Sequence, residues 1–220
     1  MSKKIPNINA RDFATILNLN PYQTPFNLLE QKLENKFPFF GNRFTEHGNR
    51  YENIALKVYE KKSKNKVDCD QHNIKHPDYD WITGRLDGTS ILKTSTNIDN
   101  KKRKIESECV IEIKCPLKND REDPLTIDKI PKYYWTQCQV YMEMIDCEYT
   151  QYVEYYIKPD APESSGILYY VTIERDREWW NNSLPKIKIF REELIKYHNL
   201  GSLDTHPIRI EEKKWEQLFS

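Results

Sequence analysis

Residues 109–118, CVIEIKCPLK, constrain this chain most tightly, because they place a glutamate and a lysine inside an otherwise buried-looking β-strand. Val110, Ile111 and Ile113 supply the apolar, β-branched character of a core strand. Side chains alternate along a strand, so Glu112 and Lys114 point to the same face. Charged groups are almost never fully buried unless they are paired or bound to something. Either this is an edge strand with one wet face and a surface ion pair, or it holds a ligand that makes both charges tolerable. The tripeptide does not decide. Glu-x-Lys occurs six times, beginning at Glu30, Glu34, Glu60, Glu112, Glu211 and Glu212. The other five lie in polar, helix-like stretches, where solvated surface is the simplest reading.

The rest of the chain narrows the choice. Its 220 residues could make one large domain or two small ones, and with no repeat or low-complexity linker the expectation is one. A mean hydropathy of −0.84 and the lack of any run near the roughly 18 apolar residues of a spanning helix argue against a membrane protein. The N-terminal MSKKIPNINA has basic residues but no apolar core, so it does not read as a secretory signal. Five cysteines, with no CxxC pair, fit free thiols in a reducing intracellular compartment better than disulfides or structural zinc. Lysines and arginines number 34, as do aspartates and glutamates, and this neutral balance weighs mildly against a nucleic-acid binder. The clusters KVYEKKSKNK (57–66) and KKRK (101–104) read equally well as charged loops or as DNA-facing patches, and KKRK also resembles a nuclear-import signal.

Periodicity divides the chain into elements. Residues 10–36 read as two short helices around the turn NLNPYQTP. TEHGNRYENIALKVYEKKSK reads as an amphipathic helix with Tyr51, Ile54, Ala55, Val58 and Tyr59 on one face. Residues 79–95 read as two strands around an Asp-Gly turn, followed by a charged insertion at 96–108 and the strand at 109–115. KIPKYYWTQCQVYMEMID reads as a helix, EYTQYVEYYIK and GILYYVTIER as a hairpin, and REWWNNSLPKIKIFREELIKYHN as a further helix. This order implies an α/β (α+β) core: a mixed central sheet flanked by helices.

On that scaffold Asp87 ends the strand WITGRLD, Glu112 and Lys114 lie on the next core strand, Glu52 on the preceding helix, and Gln137 on the following one. Two carboxylates on neighbouring strands resist ionising together, and a divalent cation between them reverses that cost. Mg²⁺ prefers hard oxygen ligands and keeps several waters, so two carboxylates and a backbone carbonyl suit it. A lysine beside them can hold or polarise a water and stabilise charge growing on a phosphate. This is a working kit for phosphodiester hydrolysis. Each part has a plainer reading: Asp87-Gly88 as a type I′ turn, Glu52 as an exposed helix residue, Gln137 and Gln139 as ordinary polar helix positions.

GRLDG followed by VIEIKCP resembles the signature of PD-(D/E)XK nucleases, with Leu86 at the leading proline position. GNRYENIALKVYE (Gly48, Glu52, Ala55, Tyr59), EIKCP and YWTQCQVYM (Tyr134, Gln137, Gln139, Met142) narrow the resemblance to the lambda-exonuclease-like, YqaJ-type viral recombinase group. INARDFATILNLNPYQTPFNLLEQK resembles that group's N-terminal helices, and the likeness spans about residues 8–160. It implies a single nuclease domain over 1–220, with N-terminal helices at 8–40, a catalytic core at 45–160, a strand and helix at 167–198 and a tail at 199–220. It also implies Mg²⁺-dependent DNA hydrolysis, with Mn²⁺ as a substitute, and digestion 5′→3′ from duplex ends in support of viral or phage-type recombination and repair. Double-stranded DNA ends, a single-strand annealing protein and further copies in a trimeric ring are the implied partners. Asp87 and Glu112 would ligate the metal with the carbonyl of Ile113, and Lys114 would serve the nucleophilic water. Glu52 would act through water or a second metal, and Gln137 on the phosphate or the lysine. Arg11, Arg85 and Gln139 would contact DNA or its terminal phosphate. Arg11 stands where the family commonly has a small hydroxyl residue, and Arg85 beside the aspartate is a second departure. Two rivals stand beside this reading. One is a structure-specific or restriction-like endonuclease of the same fold; the other is a non-catalytic nucleic-acid-binding module, against which intact Asp87, Glu112 and Lys114 weigh.

Overall fold

In the computed structural model, residues 4–36, 41–69, 73–98, 101–118, 124–158, 161–162 and 165–218 are described, with backbone alone at 94–98, 101–105 and 215–218. In chain order the elements begin with β1 (Ile8–Asn9), α1 (Asp12–Ile16), α2 (Pro25–Glu34), α3 (Arg43–Ser63), β2 (Val67–Asp68), β3 (Asn73–Lys75) and β4 (Ile82–Arg85). They continue with β5 (Gly88–Ile98), β6 (Lys101–Lys114), α4 (Lys132–Ile145), β7 (Tyr149–Tyr156), β8 (Ile167–Glu174), α5 (Arg177–Leu200) and α6 (Pro207–Leu218).

The apolar run at 109–115 is the middle of a sheet. β6 pairs antiparallel with β5 on one side and parallel with β7 on the other, giving a five-stranded sheet of order β2-β5-β6-β7-β8. A central strand buries both faces, and the alternation divides its residues between two cores. Val110 and Tyr152 face a cluster with Phe13, Leu28, Val140, Met142 and Ile187, beneath α1, α2, α4 and α5. Ile111, Ile113, Val153 and Tyr155 face Tyr51, Ala55 and Tyr59 of α3. The spacing of those three α3 residues is the amphipathic stripe expected from the sequence. Asn42 caps α3 by accepting the Phe44 and Thr45 N–H groups at 3.0 and 3.1 Å. Antiparallel β7 and β8 form the aromatic hairpin, and α5 starts at an Asp176 cap and stops at Gly201, whose φ of +72° suits glycine. Among the described residues no helix is long and apolar enough to cross a membrane.

Five readings of the sequence change, the first of them one of the two alternatives left open. The edge-strand reading of residues 109–115 fails, because β6 is central and Glu112 is fully buried. Asp87-Gly88 is no hairpin turn: β4 lies in a separate sheet of order β1-β4-β3, and β5 crosses into the large one. Gly88 has no positive φ, as a type I′ turn would require, and serves close approach instead. A Cβ there would come within 2.5 Å of Val67 Cγ1 and 3.0 Å of the Asp68 carbonyl on β2. The insertion expected at 96–108 is the continuation of a long ribbon in which β5 and β6 stay paired out to Ile98 and Lys101. The stretch expected as a tail carries α6, and Glu30, read as solvated, is 5% exposed beneath Arg209 of that helix, which also reaches Glu34 at 3.1 Å. A small-to-large change at Gly88 should therefore strain the β2–β5 contact. Gly88→Ala is expected to lower stability by about 1–3 kcal/mol, measured by denaturant unfolding.

Candidate active site

The β5–β6 register opposes Gly88 to Ile111, so Asp87, one residue earlier, stands across from Glu112. The Asp87 carboxylate is fixed there: its Oδ2 accepts the N–H of Ile113 at 2.8 Å. Lys114 turns back along the same face and pairs with Glu112 Oε1, while its Nζ lies 4.8 Å from the centre of the Tyr134 ring. The Lys114 side chain keeps a fifth of its surface exposed, at 20% against 1% for Glu112, so the lysine is the member of the pair that reaches solvent.

Glu112 Oε2 has no hydrogen-bond partner despite its burial. Burial, then the neighbouring Asp87 charge, push its carboxyl up to about 8, against the pull of Lys114. Lys114 loses solvation as well, but Glu112 and Asp87 hold its proton more firmly than usual. An unpartnered carboxylate oxygen beside a second carboxylate is the environment a cation relieves. Among the described residues no three His, Cys, Asp or Glu side chains gather closely enough to cage an ion by themselves. That donor set fits Mg²⁺, which completes its shell with water, better than zinc, whose structural sites need four protein ligands. Asp87, Glu112 and the peptide of Ile113 are the groups that would hold it.

Helix α4 supports this corner. Tyr141 donates its hydroxyl to the Arg85 carbonyl at 2.7 Å and receives the Gln137 amide at 3.0 Å, bracing the chain two residues before Asp87. Burial and then Glu112 raise the Tyr141 pKa, keeping its hydroxyl a donor. Gln137 thus spends its amide nitrogen on Tyr141. Gln139 is withdrawn from the DNA-binding set: it is 1% exposed, donates to the Glu174 carbonyl at 2.8 Å and accepts the Asp176 N–H at 2.7 Å. Its amide ties α4 to the start of α5. Glu52, half-buried on α3, acts electrostatically on both Glu112 and Cys115.

Arg85 ends β4 and is exposed. Parallel pairing sets Asn9 against Thr83, and the Ala10 N–H donates to the Thr83 carbonyl at 2.8 Å. Arg11 follows directly, exposed, alongside the end of β4. The backbone thus brings Arg11 to the end of β4, where Arg85 stands two residues before Asp87 in the chain. In the sequence Tyr134 is singled out only as part of the YWTQCQVYM motif, and Tyr141 is not singled out. Tyr134, Gln137 and Tyr141 sit at i, i+3 and i+7 on one face of α4, a pattern that could have flagged them. Tyr152 and Tyr156 donate to buried Glu154 at 2.9 and 2.6 Å, and the Tyr152 ring lies 6.2 Å from Tyr134.

A mixed sheet that sets Asp87 beside Glu112-x-Lys114 on strands braced by α4 is the PD-(D/E)XK nuclease architecture. Residues 4–148 match the YqaJ-like viral recombinase domain, and the chain belongs to that family. It is similar to LHK-Exo, an alkaline exonuclease from Laribacter hongkongensis, with a TM-score of 0.67 and 17% identity, covering 97% of this chain and 95% of that one. Against LHK-Exo in complex with dAMP the TM-score is 0.69 at 17% identity, covering 94% of this chain and 95% of that one. A phage-related exonuclease from Haemophilus somnus gives a TM-score of 0.58 at 19% identity, covering 90% and 95% of the two chains. An uncharacterized protein of Acanthamoeba polyphaga mimivirus is 26% identical over 157 residues, 69% of this chain and 28% of that protein. The chain thus spans little more than a quarter of that viral relative.

The raised Glu112 pKa makes stability depend on pH. The folded carboxyl keeps its proton up to about 8, whereas the unfolded one releases it near its ordinary value of 4.5. Between those values the folded state binds more protons, so raising pH favours unfolding. In chelator the melting temperature should fall as pH rises from about 5 to about 8. Asp87→Asn, which keeps an oxygen for the Ile113 N–H but removes the charge, should flatten that slope in melts taken across the same range.

Proposed function

We propose that the chain is a Mg²⁺-dependent exonuclease that digests one strand of duplex DNA, 5′→3′, from its ends, and so serves recombination or end repair. The observation that carries this reading is the unpartnered Oε2 of Glu112, buried and facing Asp87, with Lys114 at the solvent side. When bound, the metal supplies a lowered water pKa and a counter-charge for the phosphate. Asp87 and Glu112 hold that position, and the Ile113 carbonyl adds a third ligand. Lys114, fixed by Glu112 and the Tyr134 ring, orients the attacking water and meets charge on the phosphate. Mn²⁺ is a workable substitute because it shares the preference for oxygen ligands. Glu52 acts from α3 as a further negative charge near the site. Gln137 acts through Tyr141 as a positioning residue.

The preference for ends rests on the likeness of residues 8–40 and of the YWTQCQVYM helix to the end-digesting family, with Arg11 and Arg85 as the candidates to meet a dianionic terminal phosphate. The similar LHK-Exo holds dAMP in one of its structures, a mononucleotide of the kind end-digestion releases. A trimeric ring and an annealing protein remain part of this reading as expectations drawn from the family likeness.

Purified protein given linear and covalently closed duplexes, each with Mg²⁺ and with chelator, tests the whole reading. Linear DNA should be digested only with Mg²⁺, while closed circles persist. Nicking of circles at comparable rates would replace it with the endonuclease reading. Asp87→Ala and Glu112→Ala should abolish cleavage in the same assay. Lys114→Met, which keeps the packing of the stem, should slow turnover by roughly 10²–10³-fold with little loss of DNA binding.

Arg11→Ala and Arg85→Ala should slow digestion of 5′-phosphorylated ends more than of 5′-hydroxyl ends. Initial rates on otherwise identical duplexes measure this, and equal losses on both would place the arginines elsewhere.

A further inference from the structure

A second concave site lies at the opposite end of β4. A cavity of about 240 Å³ opens between the N-terminal segment, the start of β4 and α5, lined by Lys4, Lys75, Asp80, Trp81 and Arg191. Arg191 is half-buried there. Its Nη1 donates to the Pro6 carbonyl at 2.5 Å, and its guanidinium stacks 5.5 Å from the centre of the Trp81 ring. One turn earlier on α5, Lys188 stands 4.7 Å over Tyr79, whose ring is 5.7 Å from Trp81. Among the described residues no carboxylate comes within ion-pairing distance of Lys4, Lys75, Lys188 or Arg191. Asp80 acts on Arg191 only at longer range.

Those cations contrast with others on this chain. Arg175 takes Glu143 at 2.6 Å and Asp146 at 2.7 Å; Lys32 takes Asp12 at 2.7 Å; Lys213 takes Asp204 at 2.7 Å. In a chain with equal numbers of acids and bases, four cations in or beside one cavity without an ion pair among the described residues form a local excess. Burial weakens the hold of Arg191 on its proton, so an anion entering the cavity would be met by a poorly solvated guanidinium. Cations alternating with half-buried aromatic rings suit a single strand, which offers both phosphates and base faces. Trp81 precedes β4 and Asp87 follows it, and the four strand residues Ile82–Arg85 set their ends roughly 13 Å apart. The cavity therefore lies outside hydrogen-bonding reach of the Asp87–Glu112 site.

We propose that the Lys75–Trp81–Arg191 cavity and the adjoining Lys188 bind the phosphates of single-stranded nucleic acid, holding a strand apart from the catalytic carboxylates. The identity of that ligand as DNA rests on the nuclease reading; the cation and aromatic geometry does not. The test is binding of a labelled oligothymidylate in chelator, so that no cleavage is needed, by fluorescence anisotropy over a range of salt. Lys75 and Lys188 are exposed, so Lys75→Glu/Lys188→Glu is compared with the unaltered chain. The single variants carry the test if the double variant does not melt cooperatively. The double variant should bind at least tenfold more weakly, with a salt slope shallower by about 1.4. Unchanged affinity and slope would overturn the proposal. Binding of thymidine monophosphate at this site without binding of the oligonucleotide would overturn it in favour of free product. Adding Mg²⁺ and duplex separates the two readings: loss of strand binding in a variant that still digests linear DNA supports the second site. A protein that binds the strand but never cleaves removes the exonuclease and leaves the site standing.

Discussion

A glutamate shut off from water, with one oxygen paired to a lysine and the other paired to nothing, is the constraint around which this fold is arranged. Burying an ionised carboxylate costs several kcal/mol unless its field is answered. Lys114 answers part of it; Asp87, held by the Ile113 N–H, makes the remainder worse. The protein thus keeps two carboxylates close in a setting that resists both being charged together. Such a setting is unstable for folding and useful for chemistry, since whatever cation enters is bound by relief of that repulsion.

The surroundings convert this local strain into fixed geometry. Central placement of β6 removes water from both faces of the strand, and α3 and α4 close the two sides. On the α4 side the support is a chain of side-chain contacts: Gln137 to Tyr141, and Tyr141 to the Arg85 carbonyl. Gly84 is part of the same fit, for a Cβ there would lie 2.6 Å from the Tyr141 ring. A tyrosine can take this place only because residue 84 has no side chain. The lysine has its own support in the Tyr134 ring, behind which Tyr152 and Glu154 are buried.

Much of this was legible in the sequence, and the reasons differ by residue. The charges inside VIEIK were conspicuous because they broke a β-branched run, and Tyr51, Ala55 and Tyr59 announced their helix by spacing alone. Asp87-Gly88 misled because an Asp-Gly pair reads identically in a hairpin turn and in a strand crossing between sheets. What separates the two is pairing with distant segments, Ile8 with Ile82 and Gly88 with Ile111. Gln137 and Gln139 looked alike because both are polar positions on one helix. Two residues apart, they point about 200° apart on a helix, and only the tertiary setting shows that Gln139 faces the α5 cap. Helix α6 went unseen because its anchor, Arg209 against Glu30 and Glu34, joins opposite ends of the chain.

The long β5–β6 ribbon has a bearing on how such a chain can lengthen or shorten. Among the described residues, from Ile91 and Glu108 outward to Ile98 and Lys101, its two strands pair only with each other. At its base the same ladder sets Asp87 against Glu112. One residue added to a single strand without a bulge would turn every later side chain to the other face and part the two carboxylates. A residue added to each strand at the outer end would leave the base untouched. Changes in chain length are therefore neutral at the tip and disabling near the base, and the far end of the ribbon is the natural place for new sequence to be grafted.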